Sequence, residues 1–108
     1  MVEKRHYLTY CDQNYLYRAI VLVNSIERHE SLPWQLIIVA LDETTAEVFA
    51  ATQNANIRIV KLADIEAATP ELGPCRENRT PTEYYWTLTP ILLNYTFNLD
   101  PSIEILTY

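Results

Sequence analysis

Short apolar runs alternate along this chain with stretches of helical periodicity, a pattern that predicts strands and helices in turn. The clearest run, Trp34–Leu41, is almost entirely apolar and rich in β-branched residues, which is typical of a strand buried on both faces of a parallel sheet. Weaker patterns predict the other elements. The predicted strands are His6–Cys11, Trp34–Leu41, Ile57–Leu62 and Ile103–Tyr108, and the predicted helices begin at Tyr15, Thr44 and Thr80.

The two long helices differ in how the sequence marks them. Tyr15–Glu30 is marked by an apolar face, which Val21 and Leu22 would widen, so we expect this helix to be well buried. The last helix is marked by its start, because Thr80 and Glu83 have the spacing of a capping box with a proline at the first helical position.

Two shorter segments are marked by capping and turn-forming residues. Thr44–Glu47 has the spacing of a capping box and predicts the start of the short middle helix. Residues 63–79 contain Pro70, Gly73 and Pro74 among scattered charges. We therefore expect a long flexible loop over 63–79, with at most a short helical turn near its beginning.

The order of the predicted elements is strand, helix, strand, helix, strand, loop, helix, strand. This alternation predicts one α/β domain over residues 1–108, with three layers: a mostly parallel sheet of about four strands and helices on both faces, a partial Rossmann-like arrangement. Ligands of such sheets bind beyond the carboxyl ends of the strands, where the strand order reverses. The first candidate location is therefore the exit of the first strand, residues 10–15.

The composition narrows the classes of function. The net charge of −6 disfavours nucleic acid and anionic membranes as partners. Gly73 is the single glycine, so neither a Walker phosphate loop nor the three-glycine dinucleotide fingerprint is present. A nucleotide would have to be bound without a glycine cradle.

The sequence carries no long apolar segment. Its longest uninterrupted apolar stretch, Leu36–Leu41, is far shorter than a membrane span or the core of a secretory leader. We therefore expect a cytoplasmic protein without a membrane span. In that compartment Cys11 and Cys75 are expected to stay reduced.

Residues at two helix starts carry candidate chemistry. Asp12, directly after the first strand, is placed to accept a hydrogen bond from a ligand, although spacing alone favours a helix cap. Tyr15 is placed to stack on a planar base, with a half-buried tyrosine at a helix start as the alternative. At the last helix, Arg79 and the free backbone N–H groups would favour an anion. The aromatic residues there, Tyr84–Trp86, are equally typical of core packing.

The first strand and its exit, Leu8–Tyr15, followed by Leu22–Ile26, resemble the N-terminus of nucleotide-sugar-dependent glycosyltransferases with the GT-A fold. The closest are the glycogenin-like and galactosyltransferase-like retaining enzymes of family 8 and their bacterial relatives. The end of the chain, Ile103–Tyr108, resembles the strand that leads into the family's Leu-Asp-x-Asp motif. The resemblance implies the nucleotide-sugar-binding half of a transferase whose donor is a nucleoside-diphosphate sugar, with a UDP-sugar expected.

The resemblance also implies roles for single residues. By position, Asp12 would bond the edge of the uracil and Tyr15 would stack on it. Backbone groups at the nucleotide would come from Thr9, Tyr10 and Cys11. The family often places a cation against the diphosphate or sugar at a position that falls near Thr87, which is uncharged here. The candidates for this contact are Arg79, Tyr85 and Thr87.

In that family the Asp-x-Asp carboxylates hold a divalent metal on the donor diphosphate, and this chain ends at Tyr108, directly before them. We therefore expect a fragment with no catalytic or metal-binding residue, no cofactor and no transferase activity of its own. The full-length protein is expected to use Mn²⁺ or Mg²⁺. An open last strand would also invite pairing between copies, so an edge-strand dimer caused by truncation is a further expectation.

The alternative is a non-enzymatic α/β module with a regulatory or interaction role. A receiver-like domain would need two acids at the first strand exit, an aspartate after the third strand and a lysine after the fifth. This chain offers Asp12 alone at the first exit, Asp64 after the third strand, and four strands in all. Titration with uridine diphosphate separates the two interpretations.

Overall fold

The computed structural model describes residues 4–108 and contains strands and helices in the predicted alternation. In chain order they are β1 (Arg5–Cys11), a 3-10 turn (Gln13–Tyr15), α1 (Leu16–His29), β2 (Trp34–Ala40), α2 (Glu43–Thr52), β3 (Ile57–Lys61), α3 (Leu62–Ala68), α4 (Leu72–Glu77), α5 (Pro81–Leu99) and β4 (Leu106–Thr107).

The four strands form one all-parallel sheet in the order β3-β2-β1-β4. β1 pairs with β2 along its whole length, whereas β4 pairs with β1 only at His6 and Tyr7. From β1 the chain adds strands first on one side, through β2 to β3, and then on the other side, at β4. The strand order therefore reverses at β1. The predicted α/β fold with a parallel sheet of about four strands is confirmed.

The chain divides into two compact units. The first comprises the residues up to Leu62 together with Ile105–Tyr108, and the second comprises Ala63–Glu104. The first unit thus holds the sheet with α1 and α2, and the second holds the body of α3 together with α4 and α5.

The core of the first unit lies where α1 and α2 pack on one face of the sheet. On that face the β2 residues Leu36 and Ile38 are fully buried. The residues that alternate with them, Ile37 and Val39, are buried as well. Because successive side chains of a strand point to opposite faces, β2 is buried on both faces, as its apolar run predicted.

The apolar face of α1 is narrower than the sequence predicted. Its buried residues form a single stripe: Ala19, Val23 and Ile26. Val21 and Leu22 expose 63% and 38% of their surface. The prediction that they widen the buried face is wrong, because Val21 lies two residues from both Ala19 and Val23, about half-way round the helix, and Leu22 lies on the flank of the stripe and stays partly exposed.

The start of α2 also differs from its prediction. The capping box predicted at Thr44–Glu47 is wrong, because the cap is Asp42, whose carboxylate oxygen accepts a hydrogen bond from the Thr45 backbone N–H at 2.9 Å. An aspartate at this position caps the helix two residues earlier than the threonine could.

The predicted start of α5 is confirmed. The Glu83 backbone N–H donates to the Thr80 hydroxyl at 3.2 Å, and the Thr80 backbone N–H donates to the Glu83 carboxylate at 2.9 Å. The helix then continues through Pro90 to Leu99 without a break in its assigned range.

The prediction of a loop over residues 63–79 is wrong, because α3 and α4 occupy most of this segment. Pro74 lies in the first turn of α4, where a missing backbone N–H breaks no intrahelical hydrogen bond. Gly73, in the same turn, does not adopt a positive φ. Gly73 and Pro74 therefore lie in the first turn of a helix, and Pro70 lies in the short turn before it.

β4 is shorter than predicted. The strand expected over Ile103–Tyr108 is confirmed only at Leu106–Thr107, and Ile105 just before it is 74% exposed. The side of β4 away from β1 is the edge of the sheet within the described residues. Pairing of two copies through this edge stays a prediction.

Candidate functional site

The exit of β1 lies where the strand order of the sheet reverses, and a tight turn follows it. The Asp12 carboxylate oxygen Oδ1 accepts a hydrogen bond from the Asn14 backbone N–H at 2.9 Å. The Tyr15 backbone N–H donates to the Asp12 carbonyl oxygen at 3.2 Å. These bonds bring the chain from the end of β1 at Cys11 to the start of α1 at Leu16 over the four residues 12–15.

Asp12 is therefore a cap, which is the alternative that its spacing favoured. Only Oδ1 is used in this way. Oδ2 makes no hydrogen bond to any residue that the structure describes, and the side chain is only half-buried. The carboxylate retains one acceptor for a donor outside the chain, so the cap and the predicted ligand contact are compatible.

Tyr15 presents its ring to solvent at the end of the same turn. The side chain is 53% exposed, so it is not sealed in the core. The guanidinium carbon of Arg18 lies 5.3 Å from the centre of the Tyr15 ring, which is a cation–π contact. The exposed part of the ring gives a planar ligand a surface to stack on.

Asp42 connects the exits of β1 and β2. Its Oδ2 accepts a hydrogen bond from the Gln13 backbone N–H at 2.8 Å, while Oδ1 caps α2. Burial by itself would raise the pKa of this carboxyl, but the hydrogen bonds from Thr45 and Gln13 outweigh it and hold the pKa below its ordinary value. The ionised form of Asp42 therefore holds the β1 exit in place.

The backbone groups predicted at the nucleotide are divided between the two sides of β1. The Cys11 carbonyl oxygen accepts a hydrogen bond from the Leu41 backbone N–H at 3.0 Å, on the β2 side. Since backbone groups alternate sides along a strand, Thr9 also faces β2. Tyr10 faces the side of β4, and its ring stacks on Tyr108 with centres 6.2 Å apart. Of the three predicted residues, Tyr10 is thus the one whose backbone groups point away from β2.

The Cys11 thiol lies at the same strand end and is buried. Burial, followed by the nearby charges of Asp12 and Asp42, raises its pKa to about 11. Such a thiol carries almost no thiolate at neutral pH and is a poor nucleophile. Both Cys11 and Cys75 are free, as expected.

Two cations lie at this edge of the first unit, and they are engaged differently. Lys61, at the end of β3, forms an ion pair with Glu43 at 3.0 Å. Arg18 donates through Nε to the Tyr17 hydroxyl at 3.0 Å and has no carboxylate partner among the described residues. The sequence analysis did not single out Arg18; its position three residues after Tyr15, one helical turn on, was the available signal.

The candidate diphosphate or sugar contacts lie in the second unit, around the start of α5. Arg79 is exposed and donates to the Asn78 side chain at 3.3 Å. The Thr87 hydroxyl donates to the Glu83 carbonyl oxygen at 2.9 Å, so its hydrogen is used within the helix. Tyr85 is half-buried, with its ring centre 6.5 Å from that of Tyr84.

The neighbouring tyrosine of α5 is fully engaged. The Tyr84 hydroxyl donates to Glu66 at 2.8 Å, and Arg76 pairs with the same Glu66 oxygen, also at 2.8 Å. Burial, then the hydrogen bond to Glu66 and its charge, raise the pKa of Tyr84 to about 12. This network ties α3, α4 and α5 together, so the core-packing alternative is correct for Tyr84. Trp86, in contrast, is 68% exposed.

The second unit also contains a groove that the sequence analysis did not predict. It has a volume of about 500 Å³ and no charged lining residue; it is lined by Ala68, Thr69, Pro90, Ile91, Asn94, Tyr95, Asn98 and Leu99. The signal in the sequence was the stripe of Ile91, Asn94 and Asn98 along one side of α5.

Two further properties of the described residues bear on function. Between residues 4 and 108, no group of three or more His, Cys, Asp or Glu side chains is arranged to hold a metal ion. In the same part of the chain, every helix is too short or too polar to cross a membrane.

Comparison with known proteins finds relatives of much greater length. The uncharacterised protein YfnF of Bacillus subtilis (strain 168) is 30% identical over 102 residues, which cover 94% of this chain and 33% of YfnF. The uncharacterised protein YfnD of the same organism is 26% identical over 88 residues, covering 82% of this chain and 27% of YfnD. The chain thus spans about a third of the length of these curated relatives. No protein-family model matches it, and no solved structure matches it either.

Proposed function

We propose that this chain binds the nucleotide of a nucleoside-diphosphate sugar, with UDP-sugar as the expected donor, and forms the donor-binding part of a glycosyltransferase. One observation carries the proposal: the sheet reverses its strand order at β1, and Asp12 and Tyr15 lie directly beyond that strand. In parallel α/β sheets this is the place where ligands bind.

Tyr15 supplies a surface for the base. Its exposed ring offers one face to a pyrimidine, and stacking on an aromatic side chain needs no glycine loop. This mode of binding suits a chain with a single glycine.

Asp12 supplies the selectivity for the base. Uracil carries a ring N–H donor, and the free Oδ2 of Asp12 is an acceptor at the same turn as the stacking ring. Because Oδ1 is held by the Asn14 backbone N–H, the carboxylate is already oriented before the ligand arrives. A carboxylate that accepts from an N–H forms a charge-assisted bond, roughly twice as strong as a neutral one.

Transfer of the sugar needs groups that the described residues do not assemble. The resemblance assigns a divalent metal, Mn²⁺ or Mg²⁺, to an Asp-x-Asp motif of the full-length protein, and that assignment stays a prediction. The described residues form no metal centre of three or more ligands. For the 108-residue chain we propose nucleotide binding, and the absence of sugar transfer by this chain alone stays a prediction of the resemblance.

Calorimetric titration of the 108-residue chain with uridine diphosphate tests the proposal. We expect binding of one nucleotide per chain. Tyr15→Leu should weaken it by about tenfold or more, since stacking of a base on an aromatic side chain contributes about 1–3 kcal/mol. Asp12→Asn keeps the size of the side chain, removes its charge and should weaken binding as well.

Two matched variants control for non-specific effects. Phe97→Leu removes an exposed aromatic ring from α5, and Glu47→Gln removes an exposed carboxylate from α2; both should bind uridine diphosphate like the unmodified chain. A chain that fails to bind the nucleotide, or that loses binding equally in all four variants, would contradict the proposal.

A further inference from the structure

We infer that Arg18 binds the phosphate of the nucleotide at the β1 exit. The inference rests on the proposed nucleotide site and assigns a second contact within it. Arg18 makes cation–π contacts with the rings of Tyr15 and Tyr17.

The position of Arg18 brings its charge to the stacking ring. The guanidinium carbon lies 5.3 Å from the centre of the Tyr15 ring and 5.7 Å from that of Tyr17. Nε donates to the Tyr17 hydroxyl at 3.0 Å. Tyr15 directly precedes α1, and Tyr17 and Arg18 lie in the first turn of that helix, so a ligand on Tyr15 lies within reach of the arginine.

The guanidinium has donors left over. Nε is used by the Tyr17 hydroxyl, but the two Nη groups make no hydrogen bond to any residue between 4 and 108. These groups carry four N–H donors in a planar fork, which matches two oxygens of a phosphate. The contacts that Arg18 makes within residues 4–108 are to the two tyrosine side chains, and none of the acids in that range forms an ion pair with it.

Carboxylates surround the proposed site, so a phosphate that binds there needs a cation. The strand exits of the first unit carry three carboxylates: Asp12, Asp42 and Glu43. Lys61 is already paired with Glu43. A phosphate entering this edge would be repelled by the acids unless a cation met it, and Arg18 is placed for that role. The first turn of α1 contains no acid, and the positive end of the helix dipole adds to the same attraction.

A phosphate replaces weak contacts of Arg18 with strong ones. In the free chain the guanidinium rests against exposed aromatic rings, an interaction that is weak in water. In the complex it forms charge-assisted, bidentate hydrogen bonds, while the base stacks on the exposed ring of Tyr15. The long flexible stem of arginine allows this movement without a change in the helix.

Calorimetric titration of three ligands separates the phosphate contact from the base contact. Uridine, uridine monophosphate and uridine diphosphate share the base and differ in charge. We expect Arg18→Gln to lower the affinity for the monophosphate and the diphosphate by about tenfold, because a bidentate charge-assisted contact is lost. The affinity for uridine should change by no more than about twofold. Arg18→Lys keeps the charge without the fork and should restore part of the loss.

Arg28→Gln is the matched control. Arg28 lies on the same helix in its last turn, is exposed, and has no ion pair among the described residues. The Arg28→Gln chain should bind all three ligands with the affinity of the unmodified chain. Raising the salt concentration should weaken diphosphate binding by the unmodified chain more than by Arg18→Gln.

The possible failures are distinguishable. If the unmodified chain binds none of the three ligands, the proposed function and this inference both fail. If uridine binds but Arg18→Gln leaves diphosphate affinity unchanged, the site stands and the role of Arg18 is wrong. If Arg18→Gln lowers the affinity for uridine and for the diphosphate by the same factor, Arg18 acts only through the Tyr15 ring, and the inferred phosphate contact is wrong.

Discussion

Two helix starts in this protein are built from similar residues and differ in the chemistry they leave available. At the start of α1, Asp12 caps the preceding turn and the aromatic Tyr15 follows. At the start of α5, Thr80 is the cap and the aromatic Tyr84 follows. In the sequence both signals indicate a helix start beside aromatic residues.

The cap and the tyrosine at the start of α5 are engaged within the fold. Thr80 and Glu83 bond each other, the Thr87 hydroxyl bonds the helix backbone, and Tyr84 is buried against Glu66.

At the start of α1, in contrast, three groups remain available to a ligand as far as residues 4–108 are concerned. They are the Oδ2 oxygen of Asp12, the exposed ring of Tyr15, and the Nη groups of Arg18. A helix start becomes a ligand site through what the fold leaves unengaged, and the cap alone does not indicate it.

The largest expected difference between the two regions is in stability. Tyr84→Ala should lower the free energy of unfolding by about 3–5 kcal/mol, since it empties a buried aromatic position. Tyr15→Ala should change it by no more than about 0.5 kcal/mol, because the ring is half exposed. Urea denaturation followed by circular dichroism measures both. Tyr84→Phe retains the ring and should lower the free energy of unfolding less than Tyr84→Ala does. Equal decreases for Tyr15→Ala and Tyr84→Ala would contradict the difference between the two helix starts.

A smaller effect is expected from the cap of α5. Thr80→Ala removes the hydroxyl that accepts from the Glu83 backbone N–H and should lower the free energy of unfolding by about 1 kcal/mol. Thr80→Ser retains the hydroxyl and serves as the control. Because the proposed nucleotide site lies at the start of α1, we expect neither variant to alter the affinity for uridine diphosphate; a clear loss of affinity in Thr80→Ala would contradict this.

The smallest expected effect is the pH dependence at the exit of β1. Hydrogen bonds hold the pKa of Asp42 below its ordinary value of 3.8. A lowered pKa in the folded state means that the ionised carboxylate stabilises the fold above pH 3.8 and that this contribution is lost as the pH falls through the lowered value. The stability advantage of the unmodified chain over Asp42→Asn should therefore shrink below about pH 4. An NMR titration that places the Asp42 carboxyl above 3.8 would contradict the assignment.

The elements of the sheet were largely predictable from the sequence. The apolar run that forms β2 predicted a strand buried on both faces, and the capping box at Thr80 predicted the start of α5. Both signals are local, because burial on two faces requires an unbroken apolar run and a cap requires a fixed spacing. The failures at residues 63–79 have a local cause too: proline and glycine are typical of loops, and Pro74 is also accepted in a first helical turn.

The candidate site was predictable only in part. Asp12 and Tyr15 follow a strand directly, so the rule for parallel sheets locates them. The contact between Asp42 and Gln13 depends on the pairing of β1 with β2 and has no local signal. The contact of Arg18 with Tyr15 has the right spacing, but spacing alone does not tell which side chains one turn apart are in contact.

Mapping of amide chemical shifts on the 108-residue chain during a titration with uridine diphosphate tests the central claim most directly. The account predicts that the shifts concentrate at residues 10–18, with the largest near Asp12 and Tyr15, and that residues 80–87 change little. Shifts that concentrate at residues 80–87 or along the groove of α5, with residues 10–18 unchanged at saturation, would contradict it.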